Sequence, residues 1–491
     1  MRPTNRMLSV LAGLCIVAYF LILAGEGVFA YFSPDDLMNL YSAWTQPAVA
    51  AIKGNILFFS GFYRPMGGVF YRALYAMAGF NPLPFRIACY FLMVVNLYLC
   101  YCLAKRLTGS REIGLLATLI ACYHARFADL YYSTGAVYDL LCFTFFYGAF
   151  LYYVRIRQAG KVLSIGEIGI CCLLYVAALN SKEMAVTLPI FIAAYEWLYH
   201  RPATLRSARI VLVMAIITIL SIAGKTMGPE RMTTNPDYRP SVSLRHYVEA
   251  FQNYAGKLFY KEEWFTSSLG LSLLLALLVI AWTSKSPHLK LSWLIIALGI
   301  LPIAFIAPRG GFVLYVPMFG WALFGATMLV ALRKLARIGI LATGRMPLAA
   351  WRAVRIPASI RFDQAILFIV VAVGLAWVHR SHYDRNWLRA QPQKELRSSV
   401  DRLRRLHPTL PKGAKLLFLN EPFAMDAEWQ LRGLLQLAYE DRNLDVQILP
   451  RMDSQPDLFR FDYIFKYTDA TVVQLKPTRD PQDVVASTPG L

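Results

Sequence analysis

The sequence predicts a polytopic α-helical membrane protein of about eleven transmembrane helices followed by a small C-terminal α/β domain. Three observations predict it. Of the 491 residues 57% are hydrophobic and only 16% charged, and the mean hydropathy of +0.45 lies outside the range of soluble globular chains. Long apolar runs recur, separated by short basic loops. After residue 381 the pattern changes to short alternating and amphipathic stretches.

Apolar runs long enough to span about 30 Å of hydrocarbon are expected near residues 8–30, 86–104, 112–128, 134–154, 165–180, 184–199, 208–226, 266–284, 291–307, 312–331 and 364–380. The first follows a short basic stretch (Arg2, Arg6) but is too long for a signal-peptide core, so it is expected to remain as a span. With the N-terminus cytoplasmic, the inside loops are KRLTGSRE, RIRQAGK, HRPATLRSAR, SKSPHLK and RKLARIGILATGRMPLAAWRAVRIPASIR. Each is basic, as the positive-inside rule requires, and the last is expected to hold an amphipathic interfacial helix. The formal charge of +20 is therefore a topology signal, and nucleic acid is not an expected partner. The eight cysteines lie in or beside apolar runs without zinc-site spacing. Disulfides are not expected.

Eleven spans put the tail outside, which divides the chain into a membrane domain (1–381) and an extracytoplasmic α/β domain (382–491). In the tail a polar helix leads into a Pro/Gly loop. AKLLFLN then reads as a strand, DAEWQLRGLLQLAYED as an amphipathic helix, and LDVQIL, FDYIFKY and TVVQL as further strands. It carries no phosphate-binding loop and no nucleophile motif.

The polar residues that packing does not explain collect on one face of the membrane. The first outer loop holds Asp35 and Asp36, then Arg64 in YRPMGG; the second, YHARFADLYYSTGAVYDL, holds His124 and Asp129. Lys182 and Glu183 sit in NSKEM, Arg309 and Tyr315 in APRGGFVLYVP, and the longest outer loop spans 227–265. Ionisable groups at membrane depth are costly and mark function. Each also has a structural reading: SPDD fits a helix cap with first-turn acids, Lys182–Glu183 a tight-turn ion pair, Arg64 and Arg309 snorkelling, and His124 with Asp129 a solvated span end. As a set, the carboxylates supply a general base or, with Asp129, ligands for a divalent cation such as Mg or Mn. Arg64, Lys182 and Arg309 supply positive charge for a phosphate. A base beside a phosphate clamp suits group transfer from a lipid-phosphate donor. The rival class is a lipid or polysaccharide transporter or flippase, which needs polar residues through its span centres. A non-catalytic membrane scaffold is the third reading.

These segments resemble the GT-C superfamily of membrane glycosyltransferases, which includes the protein O-mannosyltransferases, the aminoarabinose transferase of lipid A and the transmembrane-and-TPR O-mannosyltransferases. The likeness runs over roughly residues 1–330. It rests on the acidic pair after the first span, on YRPMGGVFYRALYAMAGFNPLPFRI, on YHARFADLYYSTGAVYDLL, on NSKEMAVTLP (the most specific match) and on APRGGFVLYVP. The chain departs from the pattern where Arg309 is followed by Gly-Gly-Phe, where Val137 stands near an expected basic position, and where the α/β tail replaces TPR repeats. The resemblance implies Asp35 as the base that activates the acceptor, with Asp36 in support or on a cation, and Asp129 as a second acid. It implies Lys182, Glu183 and Arg309 at the donor phosphate, flanked by Arg64 and Tyr315. The implied donor is a polyprenyl-phosphate sugar, transferred with inversion to a protein, lipid or glycan acceptor. A bacterial inner membrane is the expected location.

Overall fold

The computed structural model describes residues 3–56, 58, 64–200, 205–227, 236–343, 362–382, 391–423, 425, 429–454, 456–468 and 471–475. The expected interfacial helix within 333–361 falls largely outside them. So does much of the 229–241 segment of the long outer loop.

The eleven apolar runs fall mainly on helical segments, although those at 112–128, 291–307 and 312–331 are interrupted by non-helical turns. Among the described residues seven helices are long and apolar enough to cross a membrane singly: Ser9–Phe29, Pro82–Thr108, Thr134–Gln158, Ala208–Met227, Pro287–Ala304, Met318–Ala336 and Asp363–Ser381. The protein is thus a polytopic integral membrane protein. The run at 112–128 does not form one straight span. Arg111–Cys122 and Ala125–Tyr132 meet at 56°, because Tyr123 and His124 are extended and His124 Nδ1 accepts the Arg126 N–H, starting a new turn. The run at 184–199 begins with a 3₁₀ turn, Glu183–Thr187, before the helix Leu188–Tyr199. Ile165–Leu179 and Ser267–Thr283 are apolar but shorter than the seven.

Local codes set most helix ends. Asn81 caps Pro82–Thr108 by accepting the Leu83 N–H, Pro82 occupies the first turn, and Gly109 takes the left-handed conformation (φ 68°) past its end. Ser164 and Glu167 form a capping box at Ile165–Leu179. Thr134–Gln158 runs through the middle of the bundle and is mostly buried, whereas Asp363–Ser381 lies at the rim with almost none of it buried. Arg333 ties that rim helix inward by pairing with Asp363 and with Glu112 (2.9 Å).

Three helices between the first and second apolar runs, Pro34–Thr45, Ala48–Ile56 and Pro65–Ala78, and Leu244–Leu258 of the 227–265 segment lie outside the apolar runs. In the tail, the helix Gln391–Leu406 precedes a sheet of β1 (Lys415–Phe418), β2 (Asp445–Ile448), β3 (Tyr463–Tyr467) and β4 (Val472–Leu475), ordered β2-β1-β3-β4. β1 is parallel to β2 and β3, and β4 is antiparallel to β3. The helix Trp429–Ala438 connects β1 to β2 and lies against Pro34–Thr45 of the membrane domain.

Candidate active site

Ser33 starts the helix Pro34–Thr45 with a complete capping box. Its hydroxyl accepts the Asp36 N–H, Asp36 accepts the Ser33 N–H, and Pro34 fills the first position. The cap fixes two neighbouring acids in opposite situations. Asp36 is fully buried. Its Oδ1 accepts from the Ser133 hydroxyl and the Gly135 N–H, each at 2.6 Å. Its Oδ2 accepts from the Ser33 N–H at 2.8 Å and from Arg86 Nη2 at 3.1 Å. Arg86, equally buried, also donates to the carbonyls of Ala30 and Tyr31.

Asp35 is exposed at the point where the loop after the first apolar run meets the segment around Gly135. The surrounding protein, then the charges of Asp36 and Asp129, raise its carboxyl above the ordinary carboxylate value. A Cβ on Gly135 would lie 3.2 Å from the Asp35 Cβ, a tight contact that the glycine relieves. Asp129 reaches the fifth loop, since a Cβ on Gly310 would sit 3.4 Å from Asp129 Oδ2.

From Asp35 the contacts continue toward the cations. Asn39 Nδ2 donates to the Asp35 carbonyl, and its Oδ1 accepts the Tyr138 hydroxyl (2.9 Å). The Arg64 guanidinium stands 5.3 Å from the Tyr138 ring centroid. Arg64 grips Glu183 with two bonds, Nη2 to Oε2 at 2.8 Å and Nε to Oε1 at 3.3 Å, and Lys225 Nζ meets Oε1 at 3.1 Å. Burial pushes the Glu183 carboxyl up, but Arg64 and Lys225 outweigh it and hold it well below the ordinary value. Lys182 Nζ pairs with Asp139 Oδ2 at 2.5 Å and lies 4.8 Å over the Phe312 ring of the fifth loop. Four of the loops between apolar runs are thereby joined.

The remaining candidates sit differently. Arg309 lies beside the long outer loop, 3.6 Å from Asp237 and 4.2 Å over the Tyr238 ring. Tyr315 is buried, its hydroxyl 3.3 Å from Asn96 Nδ2 and its ring against Phe143, so it supports the bundle from within. His124 is buried and stacked on Tyr260, with Nε2 2.9 Å from the Leu258 carbonyl. It fixes the turn and does not open onto Asp35.

A divalent cation on Asp35, Asp36 and Asp129 does not fit these donors. Both Asp36 oxygens are saturated by four hydrogen bonds that a metal would have to break. Among the described residues no group of three His, Cys, Asp or Glu side chains is placed to hold a metal.

No family model and no curated protein matches the chain. Among solved structures it is similar to ArnT from Cupriavidus metallidurans bound to undecaprenyl phosphate. The TM-score is 0.47 and the identity 14%, over 96% of this chain and 94% of that one. A likeness of that size assigns neither family nor activity.

Sequence reasoning missed Arg86, Ser133, Asp139 and Lys225. Asp139 and Arg86 carried a signal, because each is a charge inside or at the edge of an apolar run. Ser133 carried none, since only the fold brings it to Asp36.

Proposed function

We propose that this protein is a GT-C-type glycosyltransferase that moves a sugar from a polyprenyl-phosphate donor to an acceptor on the extracytoplasmic face. The acceptor is a hydroxyl of a protein Ser or Thr, a lipid or a glycan. The observation that carries this reading is the division of labour in the acidic pair. Asp36 is fully committed to holding the loop cluster, while Asp35 stays exposed with raised proton affinity, a state suited to a general base.

In this mechanism Asp35 takes the proton of the acceptor hydroxyl as its oxygen attacks the anomeric carbon. The bond to the donor phosphate breaks with inversion, and the phosphate leaves with the electron pair. Arg64 and Lys225 share the single negative charge of Glu183 and so keep one net positive charge that favours the departing phosphate, with Arg309 as a further cation. Lys182, neutralised by Asp139, holds the loop in place. Glu183 holds Arg64 and Lys225 together. No step runs through a metal. The motif order around NSKEMAVTLP favours the mannosyltransferase-like branch, the basic loops favour a cytoplasmic N-terminus, and a bacterial inner membrane is the proposed location.

Asp35→Asn tests the reading. Sugar transfer from the polyprenyl-phosphate donor is expected to fall at least about a hundredfold at unchanged protein level. Retained transfer overturns Asp35 as base. Mass spectrometry of surface glycans and glycoproteins in a deletion strain identifies the missing sugar and acceptor, and an unaltered surface removes the enzyme reading.

A further inference from the structure

The helix Pro34–Thr45 is fixed at its start by the Asp36 cradle, and at its far end it meets the C-terminal domain. The Tyr41 hydroxyl donates to Gln436 Oε1 at 2.7 Å. Gln436 is 5% exposed, and its Nε2 donates to the carbonyls of Arg442 and Leu444 at 3.1 and 2.8 Å. The Tyr41 ring lies against Gly433, where an added Cβ would come within 3.3 Å of it, and stacks near Trp429. Arg442 donates to the Trp44 carbonyl and sits 4.7 Å over its indole. The Tyr75 hydroxyl donates to the Leu437 carbonyl at 2.9 Å. On the other flank buried Gln393 donates to the Tyr132 carbonyl, one residue before the serine that holds Asp36.

These polar contacts define a single docked arrangement. Detaching the domain leaves Gln436 Oε1 and its surroundings to find new partners, and a buried unmatched acceptor is costly. A helix transmits roll rigidly. Tyr41 lies about 9 Å along the axis from Asp35, so what fixes Tyr41 also fixes the direction of the Asp35 side chain. Catalysis is sensitive to this, since a misplacement of about 1 Å costs on the order of a hundredfold in rate.

We propose that the C-terminal α/β domain is a positioning brace for Asp35. Tyr41 and Gln436 are its positioning residues, and Gln393 steadies the loop that holds Asp36. The catalytic part of the proposal rests on Asp35 as base; the mechanical part does not.

The test uses the full-length protein in detergent with Tyr41→Phe and Gln436→Leu. Backbone amide exchange over residues 34–41 is expected to quicken about tenfold or more in both. Exchange in 137–158 stays as in the wild type. In sugar transfer, kcat is expected to fall about tenfold with donor KM within about twofold. Unchanged exchange over 34–41 overturns the brace. A loss of activity that only follows the folded fraction also overturns it, as a purely structural role. Should Gln436→Leu fail to fold, Tyr41→Phe decides alone. Transfer that survives Asp35→Asn sinks the base assignment and leaves the exchange result to judge the brace.

Discussion

Lys182 Nζ stands 2.5 Å from Asp139 Oδ2, and the two side chains are only 8% and 1% exposed. The lysine comes from the third outer loop and the acid from the first turn of the bundle's central helix. Two charges in so dry a place are tolerated because each neutralises the other. Asp139→Asn or Lys182→Met is therefore expected to destabilise the protein by about 3–5 kcal/mol, and the double change Lys182→Met/Asp139→Leu to recover most of it. Thermal unfolding in detergent of the two singles and the double checks this.

The acidic pair gives a second contrast. Asp36→Ala strips Arg86 of its counter-ion at a site 1% exposed, which is expected to cost about 3–5 kcal/mol. Asp35→Ala removes only an exposed first-turn acid, worth about 0.3–1 kcal/mol through the helix dipole. Equal losses of stability in the two variants would contradict the assignment of anchor and base.

Activity should carry the signature of a raised carboxyl. Asp35 acts as base only when ionised, and partial desolvation by the surrounding protein, with the charges of Asp36 and Asp129, raises its proton affinity. The acid limb of kcat/KM is therefore expected above the ordinary carboxylate value. Asp129→Asn deletes one of the negative charges and should move that limb to lower pH. A shift in the opposite direction counts against the electrostatic coupling of Asp35 and Asp129.

Glu183 predicts a pH effect on stability with the opposite origin. Its carboxyl is held below the ordinary value of 4.5 by Arg64 and Lys225. The stabilisation is present above pH 4.5 and is lost as pH falls through the depressed folded-state value. Unfolding measured against pH should show wild type and Glu183→Gln converging at the acid end.

Arg64→Lys tests the fork geometry. Arg64 binds both Glu183 oxygens, and lysine keeps the charge but not the bidentate contact. Transfer is expected to fall about tenfold with a rise in donor KM. Full activity would show that charge alone suffices there.

The sequence announced the elements because their codes are local. The apolar runs fall mainly on helices, though among the described residues only seven, or eight with the bent pair, form candidate spans rather than eleven. The four tail strands lie where AKLLFLN, LDVQIL, FDYIFKY and TVVQL read as strands. Span integrity was less legible. The break at Tyr123–His124 depends on a side chain capping its own backbone, and hydrophobicity does not record that. The helices Pro65–Ala78 and Leu244–Leu258 were missed because their burial comes from neighbours rather than from a long apolar run.

By itself the sequence determined the membrane-spanning character, the capped helix at SPDD and the placement of Asp35, Arg64, Lys182 and Glu183 in loops between apolar runs. Hydrophobic length, caps and basic loops act within a few residues of chain. Tertiary structure decided which acid is the anchor and which is exposed, and that Asp139 neutralises Lys182 while Arg64 and Lys225 share Glu183. It also decided that Gln436 meets Tyr41 across 395 positions of sequence. Those choices follow from which side chains lose water together, and that is fixed only when distant segments pack.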